Sequence, residues 1–157
     1  MTHGDDLRRL LDLEEIRQLK YAYFRCIDTK DWAGIAACFV PEATASYPTR
    51  ECADRDAILA FLTESLVPDL VTVHHGHHPE IRVHGDEATG TWYLHDQVFS
   101  MAYDYALEGA ALYEDHYVRT PNGWRMSHTG YERIFEKSGT TSGTTIKQGP
   151  RSRGEMT

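Results

Sequence analysis

The dominant hydrophobic period changes near residue 70, and that change limits the fold more than any other feature of the chain. Before it, apolar side chains recur at three- and four-residue steps, the spacing of one helix face. After it they alternate, the spacing of one strand face. The first helix is predicted over about Asp5 to Asp28, with Leu13, Ile16, Tyr23 and Ile27 on its buried stripe and Lys20 contributing its stem. Asp31 is placed to cap a second helix, Trp32 to Phe39, which Pro41 ends. A short strand over Glu42 to Arg50 and a loop containing Cys52 follow. A third helix, capped by Asp54, then runs to Leu66.

The alternating segments are Val71 to His77, Glu80 to Val83, Ala88 to Ala102, Ala110 to Arg119 and Trp124 to Glu136. Pro121-Asn122-Gly123 between the last two is a hairpin signal. Three helices ahead of a run of antiparallel strands make an α+β arrangement. Its 157 residues suit one domain with a core large enough to enclose a small-molecule cavity. Residues 1–137 are assigned to that domain. Residues 138–157, rich in Gly, Ser and Thr, are expected to be a flexible tail or an arm exchanged between subunits.

A formal net charge of −8 argues against nucleic acid or an anionic membrane as the main partner. No apolar run approaches the roughly 20 residues that span a bilayer. The polar first residues, and three cysteines outside any Cys-x-x-Cys spacing, lead to the expectation of a reduced, cytoplasmic protein.

Four of the nine histidines fall in Thr72-Val-His-His-Gly-His-His-Pro79. In an extended strand His74 and His78 share one face, and His75 and His77 the other, so the four cannot converge on one ion. No metal is expected, and His75, His77 and His78 read as surface residues. Alternation puts Asp96 with Trp92, Leu94 and Val98. If that face is interior, the carboxylate needs a partner or a raised pKa, and either marks a functional site. Asp115 shares a face with Tyr113 and Tyr117 and reads as a structural hydrogen-bonding group.

The order and spacing of several pieces carry a resemblance: Tyr23, Asp28, Asp31-Trp32, Phe39 and Glu42-Ala43, then Thr72-x-His74 ahead of Pro79, Gly85-Asp86-Glu87-Ala88, Tyr113-x-Asp115-x-Tyr117 and Asn122-Gly123-Trp124-Arg125. Over about residues 10 to 136 the chain resembles the SnoaL-like branch of the nuclear-transport-factor-2-like superfamily, which includes scytalone dehydratase, bile-acid dehydratases, ketosteroid isomerase and polyketide cyclases. The resemblance implies a cone-shaped α+β barrel, three N-terminal helices packed on a curved antiparallel sheet that encloses a pocket. It implies an apolar cyclic substrate, no cofactor, and a homo-oligomer, with a trimer favoured over a dimer.

The dehydratase-type members look closest. They pair an aspartate at the end of the first helix with a sheet histidine, positions that Asp28 and His74 match here. Tyr23 matches a tyrosine or lysine five residues before that aspartate. On a regular helix five residues turn through about 140°, so Tyr23 and Asp28 share a pocket only if Asp28 lies at or past the helix end, or if the pocket wraps around the helix. The hexachlorocyclohexane dehydrochlorinase, another member of this branch, has an arginine five residues after its strand tryptophan. This sequence departs from it there with Thr129, and Arg133 is the next arginine along the chain.

The candidate catalytic residues are therefore His74, Asp28, Tyr23 and Asp96. Arg133, Trp92, Tyr47 and Tyr113 are the candidates for substrate binding. Elimination of water by His/Asp acid–base chemistry is the leading expectation. Isomerisation or polyketide cyclisation begins with the same proton abstraction, and a non-catalytic binding or assembly domain would keep the pocket without the chemistry.

Overall fold

Helix α1 sets the frame. The computed structural model describes residues 3–155, and α1 takes up His3–Thr29 of them. Its inward stripe is only partly apolar: Ile16, Tyr23, Phe24 and Ile27 are buried, and so are Asp12 and Lys20. The chain leaves α1 through Lys30, whose φ of 54° places a non-glycine residue in the left-handed region. That strain is held by three contacts. Asp31 N–H returns to the Cys26 carbonyl at 2.9 Å, and the buried Lys30 ammonium donates to the carbonyls of Leu70 and Ser152.

Helix α2, Trp32–Cys38, begins as expected with Asp31 Oδ1 accepting from Gly34 N–H at 2.9 Å. It ends one residue early, and Pro41 is not what stops it. Strand β1, Phe39–Tyr47, starts at once and contains Pro41. The proline is tolerated because it lies in the register shift between Phe39 and Thr44, where no ladder bond needs its missing N–H. The segment expected as a loop around Cys52 is a strand, β2 (Arg50–Cys52), folded back on β1. Helix α3, Arg55–Ser65, is capped by Asp54 Oδ1, which accepts from Ala57 N–H at 2.8 Å.

The sheet then fills in from its far edge. Strands β3 (Val71–His84), β4 (Glu87–Ser100), β5 (Tyr105–Thr120) and β6 (Gly123–Gly139) form an antiparallel meander, in the sheet order β2-β1-β6-β5-β4-β3. The sheet is mixed rather than all antiparallel, because β1 lies parallel to β6. The two segments expected at Val71–His77 and Glu80–Val83 are one strand with a bulge at His77/Glu80, where His78 takes φ 27°. Further shifts at Ala110/Ala111 and His116/Tyr117 sharpen the twist, and the sheet curls around the helices without closing. The result is three helices on a cone-shaped, curved sheet. Residues 140–155 return along their own chain. Thr141 bonds to Asp104, Gln148 bonds to the Pro68 carbonyl, and a short 3-10 helix, Pro150–Arg153, lies beside the end of α1.

One clip secures the start of this frame. The Asp12 carboxylate receives both Arg119 Nη atoms (2.7 and 2.8 Å) and Trp124 Nε1 (3.2 Å), which ties α1 to β5 and β6. The Arg119 hydrogen bond outweighs burial and holds the Asp12 carboxyl below its ordinary 3.8. A depressed carboxyl contributes stability above its unfolded pKa and loses it as the pH falls through the folded value. Urea midpoints should therefore fall more steeply below about pH 4 in the native chain than in Asp12→Asn, which should be about 1–3 kcal/mol weaker at pH 7. Parallel curves for the two chains would show that Asp12 contributes no linkage.

Candidate functional site

Lys20, Phe24 and Asp28 stand at four-residue steps on α1, so they form one stripe along the side that meets the sheet. Between them they engage two strands, β5 and β3. Lys20 Nζ reaches Asp115 of β5 at 2.8 Å, with both side chains fully buried. The Phe24 ring lies nearly parallel to the His74 imidazole at 5.9 Å and edge-on to Tyr113 at 5.6 Å. Asp28, inside the last turn of α1 rather than past it, is bound to β3.

Asp28 holds β3 through three donors. Oδ1 accepts from Thr72 Oγ1 at 2.9 Å and lies 2.6 Å from His74 Nδ1, and Oδ2 accepts from the His74 backbone N–H at 3.0 Å. A carboxylate can only accept, so it selects the tautomer with the proton on Nδ1 and leaves the Nε2 lone pair free. The pair is sheltered but reachable, with side-chain exposures of 12% for His74 and 23% for Asp28. Gly76, two residues along the same face, gives Phe24 its place. An added Cβ there would stand 2.6 Å from the Phe24 ring.

Asp96 lies directly across from His74 in the β3–β4 ladder, on the interior face with Trp92 and Leu94, and is 3% exposed. Its partner is Arg133, from two strands away. Nη1 meets Oδ1 at 2.6 Å and Nη2 meets Oδ2 at 2.9 Å, fork to fork. Arg133 also approaches Glu136 at 3.4 Å and lies 5.2 Å from the centre of the Tyr131 ring.

Tyr23 takes a different direction from Asp28, as the helix angle between them requires. Its hydroxyl shares a 3.2 Å hydrogen bond with that of Tyr47. Whichever phenol donates, the other keeps an O–H for a further acceptor. Burial pushes both phenols well above the ordinary tyrosine value, so both are neutral donors. Trp92 is wholly buried, with its indole N–H donating to Tyr117 at 3.0 Å, and Tyr113 is buried under the Lys20 ammonium, 3.7 Å from its ring centre.

A groove of about 470 Å³ opens between the β1–β2 hairpin and the free half of β6, where the β1–β6 ladder stops at Ser46/Gly130. Tyr47, Tyr131 and Arg133 line it, and Asp28 and His74 are not in its wall. Phe24, Tyr113 and Lys20 pack together in the interior beside the pair.

Sequence reasoning missed Lys20 as a buried charge. The one available signal was its position on an otherwise apolar stripe, and long lysine stems commonly cover such stripes from outside. Burial draws the Lys20 ammonium below the ordinary lysine value, and Asp115 opposes that. Asp115 does bond structurally, receiving Tyr117 Oη (2.8 Å) and Thr129 Oγ1 (2.7 Å) as well as Lys20. His75 and His77 lie on the outer face with ring centres 6.1 Å apart. His78, turned by its positive φ, joins that face instead of His74's and lies 4.8 Å from Tyr93. Among the described residues no three ligating side chains converge.

A family model described as a SnoaL-like domain matches residues 8–130. Among solved structures, a candidate scytalone dehydratase from Novosphingobium aromaticivorans superimposes with a TM-score of 0.76 at 20% identity, over 82% of this chain and 88% of its own. The type 3 hexachlorocyclohexane dehydrochlorinase of Novosphingobium barchaimii gives 0.80 at 16% identity, over 91% and 99%. A type 2 dehydrochlorinase gives 0.81 at 18%, over 92% and 99%. At these identities the structures establish a shared fold. No helix among the described residues is long and apolar enough to cross a membrane.

Proposed function

The chain belongs to the SnoaL-like domain family, and from that premise we propose that it is a cofactor-independent lyase that removes water from an apolar cyclic hydroxy compound. The observation that carries the proposal is the Asp28 clamp. One carboxylate binds His74 at Nδ1 and at its backbone N–H, which leaves Nε2 as a free base. Nε2 takes a proton from the carbon next to a carbonyl, and the electron pair forms the new double bond as the C–OH bond breaks. The imidazolium then returns its proton to the departing hydroxide, so the products are an unsaturated compound and water. Asp28 stabilises the imidazolium while it exists. The spare phenol proton of the Tyr23–Tyr47 pair is the donor for the carbonyl oxygen as charge develops. Asp96 and Arg133 supply the charged part of the surrounding face, and Trp92 and Tyr113 its aromatic part.

The test is product mass. Cyclic β-hydroxy ketones incubated with the protein should give a species lighter by one water, and should not do so with His74→Ala. A new product of unchanged mass would select isomerisation or cyclisation instead. The groove beside Tyr47 and Arg133 favours a second reading, a module that binds an apolar ligand and leaves it intact. Saturable binding with no change in the ligand would select that reading.

A further inference from the structure

On the reading of His74 as the base, we propose that Arg133, acting through Asp96 across the gap that Gly109 leaves in β5, keeps the His74 imidazole in its neutral, proton-accepting form. His74 already has one carboxylate at Nδ1, 2.6 Å away. Asp96 stands directly opposite it in the ladder and on the same face, where facing Cβ atoms are about 4.5–5.5 Å apart. An imidazole beside two uncompensated carboxylates is drawn towards imidazolium, which has no lone pair left to accept a proton. A base in that setting would be spent before substrate arrived.

Arg133 removes the second carboxylate's influence by pairing with both of its oxygens. The two residues sit on β4 and β6, with β5 between them, so they meet only where β5 carries no side chain. That place is Gly109, the ladder partner of Asp96. An added Cβ there would stand 2.7 Å from Arg133 Nη1 and 3.1 Å from Asp96 Oδ1. The glycine is needed for this crossing and not for its backbone angle, since it has no positive φ.

Charged and titratable groups reach the surroundings of His74 from α1, β4, β5 and β6. Helix α1 supplies Asp28 at Nδ1, with Lys30 beyond it and Lys20 beneath the Phe24 ring. Strand β4 supplies Asp96, β5 supplies Tyr105 near the Asp96–Arg133 pair, and β6 supplies Arg133 and Glu136. Asp96 is the carboxylate facing His74 across the ladder, and Arg133 is the cation bonded to it. Arg133 and Gly109 are thus positioning residues for the proton-accepting state of His74.

The experiment is an NMR titration of the His74 ring nitrogens in the full chain, which needs no substrate. Arg133→Gln should raise the pH midpoint of His74 by about 1 unit or more, because Asp96 is left uncompensated beside it. Arg133→Lys, which keeps a positive charge, should titrate like the native chain. Arg133→Gln combined with Asp96→Asn should bring the midpoint back. Gly109→Ala keeps every charge but separates the pair, so it should raise the midpoint by less; it decides the matter if Arg133→Gln does not fold. The proposal is overturned if the midpoint stays at its native value in both Arg133→Gln and Gly109→Ala, as it would if Asp96 took up the proton itself. It is equally overturned if the double variant stays shifted. Retention of turnover by His74→Ala would instead remove the lyase reading and leave the titration result standing.

Discussion

Asp28→Asn should slow turnover by about 10²–10⁴-fold, the range expected when acid–base assistance is lost, while leaving the chain folded. The substitution keeps the shape of the side chain and changes only what it can do with hydrogen bonds. Three donors converge on Asp28: Thr72 Oγ1, the His74 backbone N–H and His74 Nδ1–H. An asparagine has one acceptor oxygen and an NH₂ that can only donate. If its oxygen faces Thr72 and Nδ1, the NH₂ confronts the His74 backbone N–H. If it is turned over, the NH₂ confronts Nδ1 and drives the imidazole proton to Nε2, the atom proposed as the base. Either way the free lone pair or its orientation is lost. The ring-nitrogen signals of His74 should report the exchange of tautomers, and His74→Ala should lose a comparable factor in rate. Native rates in Asp28→Asn would eliminate the pair as the source of catalysis.

Lys20→Met should cost about 3–5 kcal/mol of folding free energy, the penalty for removing one partner of a buried ion pair. In a domain of this size that corresponds to a fall in melting temperature of about 6–20 °C. Both side chains are fully buried, so water cannot replace the missing ammonium. Asp115 would keep Tyr117 and Thr129 as donors but lose its countercharge. Lys20 would also leave an aromatic surround, with ring centres of Tyr113, Tyr23 and Phe24 at 3.7, 4.8 and 4.8 Å. Adding Asp115→Asn should recover much of the loss, since the uncompensated charge is then gone, one hydroxyl keeps an oxygen to donate to and the other can accept from the new NH₂. Thermal unfolding of the single and double variants gives the comparison. A single variant within about 1 kcal/mol of the native chain would mean that the pair's desolvation nearly cancels its attraction.

The pair also explains a limit of sequence reading. Position 20 continues the stripe of Ile16, Tyr23 and Ile27, and a lysine there has two possible dispositions. Its stem can cover the stripe while the ammonium reaches water, or the ammonium can find an anion inside. Which occurs depends on Asp115, 95 residues away on another strand. No local pattern connects them. The same holds for Gly109, whose missing side chain has meaning only once Asp96 and Arg133 are known to approach each other from opposite sides of it.

Local rules succeeded where the deciding atoms are close in the chain. Asp31 and Asp54 cap their helices because a short acceptor three residues before a free N–H is a self-contained unit. Alternation correctly grouped Asp96 with Trp92 and Leu94 on one face, which the structure makes the interior one, and the hairpin at Pro121-Asn122-Gly123 formed as read. Local rules failed where a ladder partner altered the outcome. Pro41 is accommodated by a register shift against β6, and the bulge at His78 joins two expected strands into one and turns that ring to the outer face.

By itself, then, the sequence determined the α+β class, the capped starts of the second and third helices, and which residues of an unbulged strand share a face, because periodicity and capping act over a few residues. Tertiary structure decided that β1 runs parallel to β6 and that Asp28 binds His74 by both ring and backbone. It also decided that Arg133 reaches Asp96 through Gly109, and that Lys20 ends on Asp115. Each of these is a contact between elements far apart in the chain. Its existence depends on how the curved sheet brings strands under one helix, and that geometry is a property of the whole fold.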